Sequence, residues 1–196
     1  MSSEHDQPSG ISAIYAVSAV DGRYQSKTAP LKYIVSEFGL MKYRTQVVCE
    51  WVIYLSEQNE IAELAPLSAA DSAFIRSIAD EFDGSAAERI KEFEATTNHD
   101  VKAVEYFLKE RFAQRQGLQD IAEWIHFGCT SEDINNTAYG LMLKNSREFV
   151  LLPQMQEVID AIESLAHEHA DLPMLSRTHG QTASPTTLGK EMKNVA

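Results

Sequence analysis

Residues 131–169 read SEDINNTAYGLMLKNSREFVLLPQMQEVIDAIESLAHEH, and this stretch decides the fold class. Apolar or small side chains recur in steps of three and four, at positions 134, 138, 141, 149, 152, 155, 159, 162 and 166. Such spacing aligns them in one stripe along a helix. A helical run of this length exceeds a typical globular helix and indicates a helical bundle, so we expect an all-α fold. Pro153 lies inside the run and predicts a kink or a split there.

The composition of the chain narrows the class of partner. The chain has 196 residues, and 44% of them are hydrophobic, which suffices for a sizeable core. Its 17 basic and 29 acidic residues give a net charge of −12. A surface of this charge repels nucleic acid and anionic membranes, so neither is an expected partner.

Several sequence signals are absent. Cys49 and Cys129 are the two cysteines, and they form neither a disulfide framework nor a metal-ligand pattern. The sequence has no P-loop, dinucleotide-binding glycine motif or HExxH pattern, so we expect no metal and no cofactor. No apolar stretch reaches transmembrane length. Residues 1–10 are polar and acidic, which predicts a disordered tail and not a signal peptide. We therefore expect a cytoplasmic protein.

Helical periodicity also runs through the chain before residue 117. Residues 31–58 carry apolar side chains near a 3.6-residue period, and Gly39 is predicted to bend or break that helix. Ser68 is predicted to cap the next helix. Residues 85–88 read Ser-Ala-Ala-Glu, a capping box that is expected to start a further helix.

The strongest break in this pattern is Gln116-Gly117-Leu118. It predicts a boundary between an N-terminal helical domain, residues 1–117, and the first long helices of a central helical bundle, residues 118–196. A short helix is expected from Leu118 to His126. The last residues stop within a predicted helix, with no glycine or cap after it, so the bundle domain is expected to be truncated.

The first polar cluster lies between two predicted helices and reads Thr96-Thr97-Asn98-His99-Asp100. Asn98 or Asp100 is predicted to cap the second helix, where free N–H groups favour an anion. Capping alone accounts for these two residues. It leaves the histidine between them unexplained.

The second polar cluster runs from Phe127 to Asn136 and contains Thr130 and Ser131. One of these two hydroxyls is predicted to cap the long helix, because Glu132 and Asp133 follow in its first turn. Adjacent hydroxyls at a helix N-terminus also suit a carboxylate ligand. Capping and ligand binding are compatible here, and both remain open.

The third polar cluster is Ser176-Arg177-Thr178-His179-Gly180-Gln181, within a predicted loop over residues 171–183. A histidine in such a loop titrates near neutral pH and can give or take a proton. The alternative is a loop histidine bonded to a backbone carbonyl. Ser184 and Pro185 are predicted to cap and open the helix that follows.

A fourth, weaker motif is Asp21-Gly22-Arg23-Tyr24, a turn that presents an arginine and a tyrosine. The arginine offers a fork for phosphate or carboxylate, and the tyrosine adds a hydroxyl. A surface arginine beside a packed tyrosine is the alternative.

These motifs together resemble the adenylosuccinate lyase family, within the fumarase/aspartase superfamily. The resemblance is carried by Val20–Tyr24, Thr96–Tyr106, Cys129–Asn136 and Ser176–Gln181, and the Asn98–Tyr106 stretch is similar to the bacterial type. The resemblance implies a β-elimination that releases fumarate from adenylosuccinate, giving AMP, and from the succinyl-carboxamide intermediate SAICAR, giving AICAR. It also implies a homotetramer whose sites are each built from three subunits.

The resemblance assigns roles by position. It implies that His179 is the general acid, with Gln181 beside it, and that Arg23 and Tyr24 contact the nucleotide phosphate. The resemblance also implies that Asn98, His99 and Asp100 contact the substrate, with His99 orienting it or partnering His179. Thr130 and Ser131 match contacts to the succinyl carboxylate.

One family motif does not occur in the sequence. The family's catalytic base is a serine in the pattern Ser-Ser-x-Met-Pro-x-Lys-x-Asn-Pro, which is absent. We therefore expect about the first two-fifths of such an enzyme, inactive alone. Two other interpretations remain open: a superfamily member with another substrate, and a non-catalytic helical fragment that serves as a pseudo-enzyme or an oligomerisation module.

Overall fold

The computed structural model describes residues 13–18, 21–58 and 61–196. The predicted tail at residues 1–10 and Val20, the first residue of the Val20–Tyr24 stretch, lie outside these ranges. The chain forms two compact units that divide between Ser146 and Arg147. The domain boundary predicted between residues 117 and 118 stays a prediction; it falls inside the first unit.

The first unit is built from helices joined by short turns. Its α-helices are α1 (Gln25–Thr28), α2 (Lys32–Val35), α3 (Glu37–Ser56), α4 (Ala69–Asp80), α5 (Gly84–Thr97), α6 (Asp100–Phe112) and α7 (Ser131–Ser146). Short 3₁₀ helices cover Ala13–Tyr15, Ala29–Leu31 and Gln119–Trp124, and the last lies where a short helix was expected from Leu118 to His126. Helix α3 packs against α2, α4 and α7, so its side chains form the centre of the core.

The break near the start of α3 lies at Ser36, and the expectation that it lies at Gly39 is wrong. Ser36 has an extended backbone, caps α3 and accepts a hydrogen bond from the Gly39 N–H at 3.3 Å. Gly39 is needed for a different reason. A Cβ atom there would lie 2.2 Å from the Ile34 carbonyl oxygen, so only glycine allows α2 and α3 to approach this closely.

Two predicted helix starts have different outcomes. Ser68 caps α4 as expected, since its hydroxyl accepts the Asp71 N–H at 3.1 Å. The prediction that the capping box at residues 85–88 starts the next helix is wrong by two residues. Asp83 is the cap of α5, because its carboxylate accepts the Ala86 N–H at 2.9 Å, and Ser85 only supports that carboxylate with a 2.7 Å hydrogen bond.

The core of the first unit is apolar and well filled. Among its buried side chains, Val52, Ile75, Val104, Leu108 and Phe112 are each fully buried. Cys49 lies with them, and burial raises the pKa of its thiol. This core holds α3, which carries Arg44, and α6, which begins at Asp100.

The second unit starts with a π-helical segment, Arg147–Leu151, followed by α8 (Leu152–Glu168) and α9 (Leu188–Lys193). Pro153 lies in the first turn of α8, where its missing N–H is tolerated. Proline in a helix interior would clash with the carbonyl four residues earlier, and a π segment relieves such a conflict. The predicted interruption at Pro153 is therefore present as a change of helix type.

Two small antiparallel pairs lie between α8 and α9. Strand β1 (Pro173–Met174) pairs with β4 (Thr186–Thr187), and β2 (Arg177–Thr178) pairs with β3 (Gln181–Thr182). The sequence predicted only a loop here. Ser184 does not cap α9: the cap is Thr187, whose hydroxyl accepts the Lys190 N–H at 3.2 Å.

The described residues are otherwise helices and turns, so the predicted all-α class is confirmed. No helix in the described part of the chain is both long enough and apolar enough to cross a bilayer. The apolar stripe predicted for residues 131–169 divides in two. Ile134 and Ala138 are buried in the first unit, whereas Leu152 and Met155 of α8 are 50% and 59% exposed.

Candidate functional site

Arg44 of α3 joins the first and second polar clusters. Its Nη2 atom donates to Asp100 Oδ2 at 2.6 Å, and its Nε atom donates to Asn135 Oδ1 at 2.9 Å. Asp100 is the first residue of α6, and Asn135 lies in the first turns of α7. One buried guanidinium therefore connects the starts of two helices. Sequence analysis did not select Arg44, because it stands inside an apolar helical run with no motif around it.

The polar cluster around His99 is arranged differently from the prediction. Asn98 ends α5 in a left-handed conformation, with φ of 51°, and its N–H donates to the Glu94 carbonyl at 2.7 Å. His99 is the N-cap of α6, since its Nδ1 atom accepts the Lys102 N–H at 3.2 Å. Neither Asn98 nor Asp100 caps that helix, because Asn98 still belongs to the preceding turn and Asp100 is already helical.

This cap determines which ring nitrogen of His99 accepts a hydrogen bond. A ring nitrogen that accepts an N–H bond carries no proton, so the proton of the neutral imidazole lies on Nε2. The side chain is 52% exposed, and Nε2 remains free of hydrogen bonds within the described part of the chain. His99 therefore presents a hydrogen-bond donor, and this form suits a ligand that offers an acceptor oxygen.

Asp100 next to it is held as a carboxylate. Partial burial acts to raise the pKa of Asp100, but the Arg44 charge and the hydrogen bonds from the Val101 N–H and Arg44 outweigh it, so the pKa is lowered. Its Oδ1 atom lies 3.7 Å from His99 Nδ1. Since Arg44 and Val101 occupy the carboxylate oxygens, Asp100 does not displace the cap of α6.

The second cluster also starts a helix. Thr130 directly precedes α7, and Ser131 is its first residue. Asp133 Oδ2 accepts from the Thr130 N–H at 2.7 Å and from the Thr130 hydroxyl at 3.0 Å, and these bonds lower the pKa of Asp133. The Thr130 hydroxyl thus donates to a carboxylate and does not accept an amide of the helix. Thr130 is exposed and Ser131 is half-buried, so both can be reached by a ligand.

His179 lies in the second unit, at the tip of the β2–β3 hairpin. His179 and Gly180 form its two-residue turn, with φ of 50° and 76°. Positive φ at both central residues is the pattern of a type I′ turn, which is usually Asn-Gly. The imidazole is exposed and makes no hydrogen bond within the described residues, so the alternative of a carbonyl-bonded loop histidine is not observed. Gln181 is the first residue of β3 and is exposed.

Arg23 and Tyr24 lie in an exposed turn before α1. The Arg23 guanidinium carbon lies 5.6 Å from the centre of the Tyr24 ring, and Tyr24 is 49% exposed, so it is not the packed tyrosine of the alternative interpretation. Buried Asp21 shapes the preceding loop, since its Oδ2 accepts from the N–H groups of Val17 and Ser18 at 2.6 and 2.5 Å.

Among the predicted site residues, the two hydrogen bonds of Arg44 connect two groups. One group is Asp100 with its neighbours Asn98 and His99. The other is Thr130 and Ser131 at the start of α7. His179 and Gln181 belong to the second unit. Within residues 13–18, 21–58 and 61–196, no group of three His, Cys, Asp or Glu side chains could hold a metal ion.

The cap by His99 makes a testable prediction about stability. His99→Ala removes the acceptor for the Lys102 N–H and is expected to lower the free energy of unfolding by about 1 kcal/mol. His99→Asn supplies a strong N-cap and is expected to change it by only a few tenths. Urea unfolding followed by circular dichroism measures both variants. Equal stability of the alanine and asparagine variants would contradict the cap.

Comparison with known proteins gives three findings. The family model described as "Lyase" matches residues 22–196. Adenylosuccinate lyase of Vibrio cholerae is 59% identical over 186 residues, which is 95% of this chain and 41% of that protein. The enzyme of that name from Haemophilus influenzae is 52% identical over 94% of this chain and 41% of its own length. The chain thus spans about two-fifths of the length of these relatives.

Solved structures agree on the fold. A 3-carboxy-cis,cis-muconate lactonizing enzyme from Pseudomonas putida matches with a TM-score of 0.58 and 22% identity, over 85% of this chain and 36% of that one. A fumarate lyase from Mesorhizobium matches with a TM-score of 0.57 and 22% identity, over 84% and 36%. At this identity, the likeness shows the fold alone.

Proposed function

Because the chain belongs to the lyase family, we propose that it provides part of the active site of an adenylosuccinate lyase. The observation that carries the proposal is the 59% identity to the Vibrio cholerae enzyme over 95% of this chain. The proposed reactions release fumarate from adenylosuccinate, leaving AMP, and from SAICAR, leaving AICAR. The proposed setting is the cytoplasm, in purine nucleotide biosynthesis.

The proposed reaction is a β-elimination. A base removes the proton next to one carboxylate of the succinyl group, the electron pair forms the carbon–carbon double bond of fumarate, and the carbon–nitrogen bond breaks. The departing nitrogen takes a proton, which we assign to His179 as general acid. Its exposed position at a hairpin tip supports this role, since a reacting atom can approach the imidazole freely.

The first unit is proposed to hold the anionic groups of the substrate. Ser131 at the start of α7 would donate its hydroxyl hydrogen bond to a succinyl carboxylate, where a helix N-terminus also favours negative charge. Thr130 would donate to the same carboxylate after its hydroxyl turns away from Asp133. The Nε2–H of His99 would donate to a substrate oxygen, with Asn98 and Asp100 on either side. Arg23, with Tyr24 beside it, would bind the phosphate.

A homotetramer is part of the proposal. An apolar row runs from the end of the π-helical segment along helix α8 in alternating steps of four and three, at Leu151, Met155, Val158, Ile162 and Leu165. Leu151, Met155, Val158 and Leu165 are between 44% and 59% exposed. This spacing is that of helices that pack side by side in a bundle, which supports association of α8 with helices of other subunits.

The proposal predicts that the 196-residue chain does not cleave adenylosuccinate. The sequence lacks the serine motif of the family, so an acid would be present without its base. The test incubates the purified chain with adenylosuccinate and measures fumarate by chromatography. A full-length protein that carries this sequence and the serine motif is the positive control.

Each outcome of this assay has a distinct meaning. Turnover by the chain alone would contradict the assignment of the base. Failure of the full-length protein with adenylosuccinate, together with release of fumarate from another succinyl compound, would replace the proposed substrate. No fumarate from any of these compounds would favour the non-catalytic fragment.

A further inference from the structure

We propose that Arg44 is a positioning residue that locks the helix start carrying His99 to the helix start carrying Thr130 and Ser131. The inference deepens the proposed function and rests on it, because it treats both helix starts as one substrate-binding surface. Its first support is burial: the Arg44 side chain is 6% exposed, although it carries a full charge. A buried charge is retained only where its partners compensate for the loss of water.

The second support is that both partners of Arg44 are themselves fixed. Asp100 Oδ1 accepts the Val101 N–H at 2.8 Å, which leaves Oδ2 for Arg44. Asn135 donates its amide to Glu132 Oε1 at 3.0 Å, which leaves Oδ1 for Arg44. Each partner of Arg44 is therefore held by a further hydrogen bond, and a displacement of either helix start would break its bond to Arg44.

The third support is the shape of the guanidinium group. Nε and Nη2 are fixed donors of one planar group, and here they contact side chains 35 positions apart in the sequence. Lysine has a compact ammonium group on a flexible stem and lacks this rigid fork. The exposed Arg76 differs: it directs both of its hydrogen bonds to the single carboxylate of Glu50, and both side chains are 48% exposed.

Arg44 also controls the form of His99 through Asp100. With Arg44 present, Asp100 Oδ2 is occupied, and His99 Nδ1 stays an acceptor for the Lys102 N–H. Without Arg44, the carboxylate is free to turn toward Nδ1, which lies 3.7 Å from Oδ1. A carboxylate at Nδ1 favours a proton there, so the imidazole would no longer present its proton only at Nε2.

The experiment uses Arg44→Lys, with Arg76→Met as the matched control for a surface ion pair. In the full-length protein, we expect Arg44→Lys to raise KM for adenylosuccinate about tenfold with a smaller change in kcat, because the two helix starts bind the substrate before and during the reaction. In the 196-residue chain labelled with ¹⁵N-histidine, we expect Nδ1 of His99 to lose its unprotonated signal. His99→Asn identifies that signal, and Arg76→Met is expected to change neither readout.

A second variant keeps the test decisive if Arg44→Lys does not fold. Asn135→Leu removes one of the two hydrogen-bond partners of Arg44 and leaves the Arg44–Asp100 pair. It is therefore expected to raise KM without changing the His99 signal. Unchanged KM and unchanged His99 signal in Arg44→Lys, even with lower stability, would overturn the inference and leave a purely structural arginine. If the wild-type full-length protein does not cleave adenylosuccinate but the His99 signal still depends on Arg44, the proposed function fails and the coupling stands.

Discussion

His179→Asn is expected to lower the turnover of adenylosuccinate by the full-length protein about 10²–10⁴-fold, the usual contribution of a general acid. The substitution separates chemistry from folding. His179 and Gly180 occupy a type I′ turn with φ of 50° and 76°, and Asn-Gly is the dipeptide that such a turn favours most. The hairpin is therefore expected to persist, with the imidazole removed.

Two controls accompany this variant. His167→Asn removes an exposed imidazole from α8 and is expected to leave turnover unchanged. Added imidazole is expected to restore part of the rate of His179→Asn, since a small acid can enter the space left by the side chain. Wild-type turnover in His179→Asn would remove His179 from the role of acid. A loss of rate that added imidazole does not restore, together with a change in the spectroscopic signals of the hairpin, would indicate that the substitution disturbs folding instead.

The second large effect concerns stability. Gly39→Ala is expected to lower the free energy of unfolding by about 3 kcal/mol, because its Cβ atom would lie 2.2 Å from the Ile34 carbonyl oxygen and 2.5 Å from the Ile34 carbonyl carbon. Those atoms belong to the backbone of α2, so no side chain can turn away to relieve the clash. Urea unfolding of the 196-residue chain measures the change.

Gly140→Ala is the matched control. Gly140 lies within α7, and a Cβ atom there would meet nothing within 4 Å. The substitution is expected to stabilise the chain by about 1 kcal/mol, since alanine favours a helix more than glycine does. Opposite signs for these two glycine substitutions would confirm that contact with Ile34 decides the first. Equal effects would contradict it.

Periodicity and capping preferences predicted the fold class and the helix start at Ser68 correctly, because one interaction dominated in each case. The all-α class followed from the steps of three and four in residues 131–169, and the cap at Ser68 followed from a single hydroxyl before a helix. At residues 83–88, two candidate caps compete. Asp83 prevails over Ser85 because its carboxylate accepts both the Ala86 N–H and the Ser85 hydroxyl.

The parts that could not be predicted depend on contacts between distant segments. Arg44 gives no local signal, because its partners lie 56 and 91 positions away. The break at Ser36 depends on how closely α2 approaches Gly39, which periodicity does not encode. The hairpin around His179 could have been found from a local signal, since a residue followed by glycine between two short polar segments fits a type I′ turn, although asparagine is far commoner there.

In the proposed function, His99 uses its two ring nitrogens for different purposes, and this affects how natural variants at position 99 should be interpreted. Nδ1 supports the start of α6, and asparagine can replace it in that task. Nε2 has no such substitute. Under the proposed function, a survey of soluble expression would therefore score an asparagine allele as harmless, while a survey of growth without external purines would score the same allele as defective. Disagreement between the two surveys at one codon would identify a side chain with two separate duties.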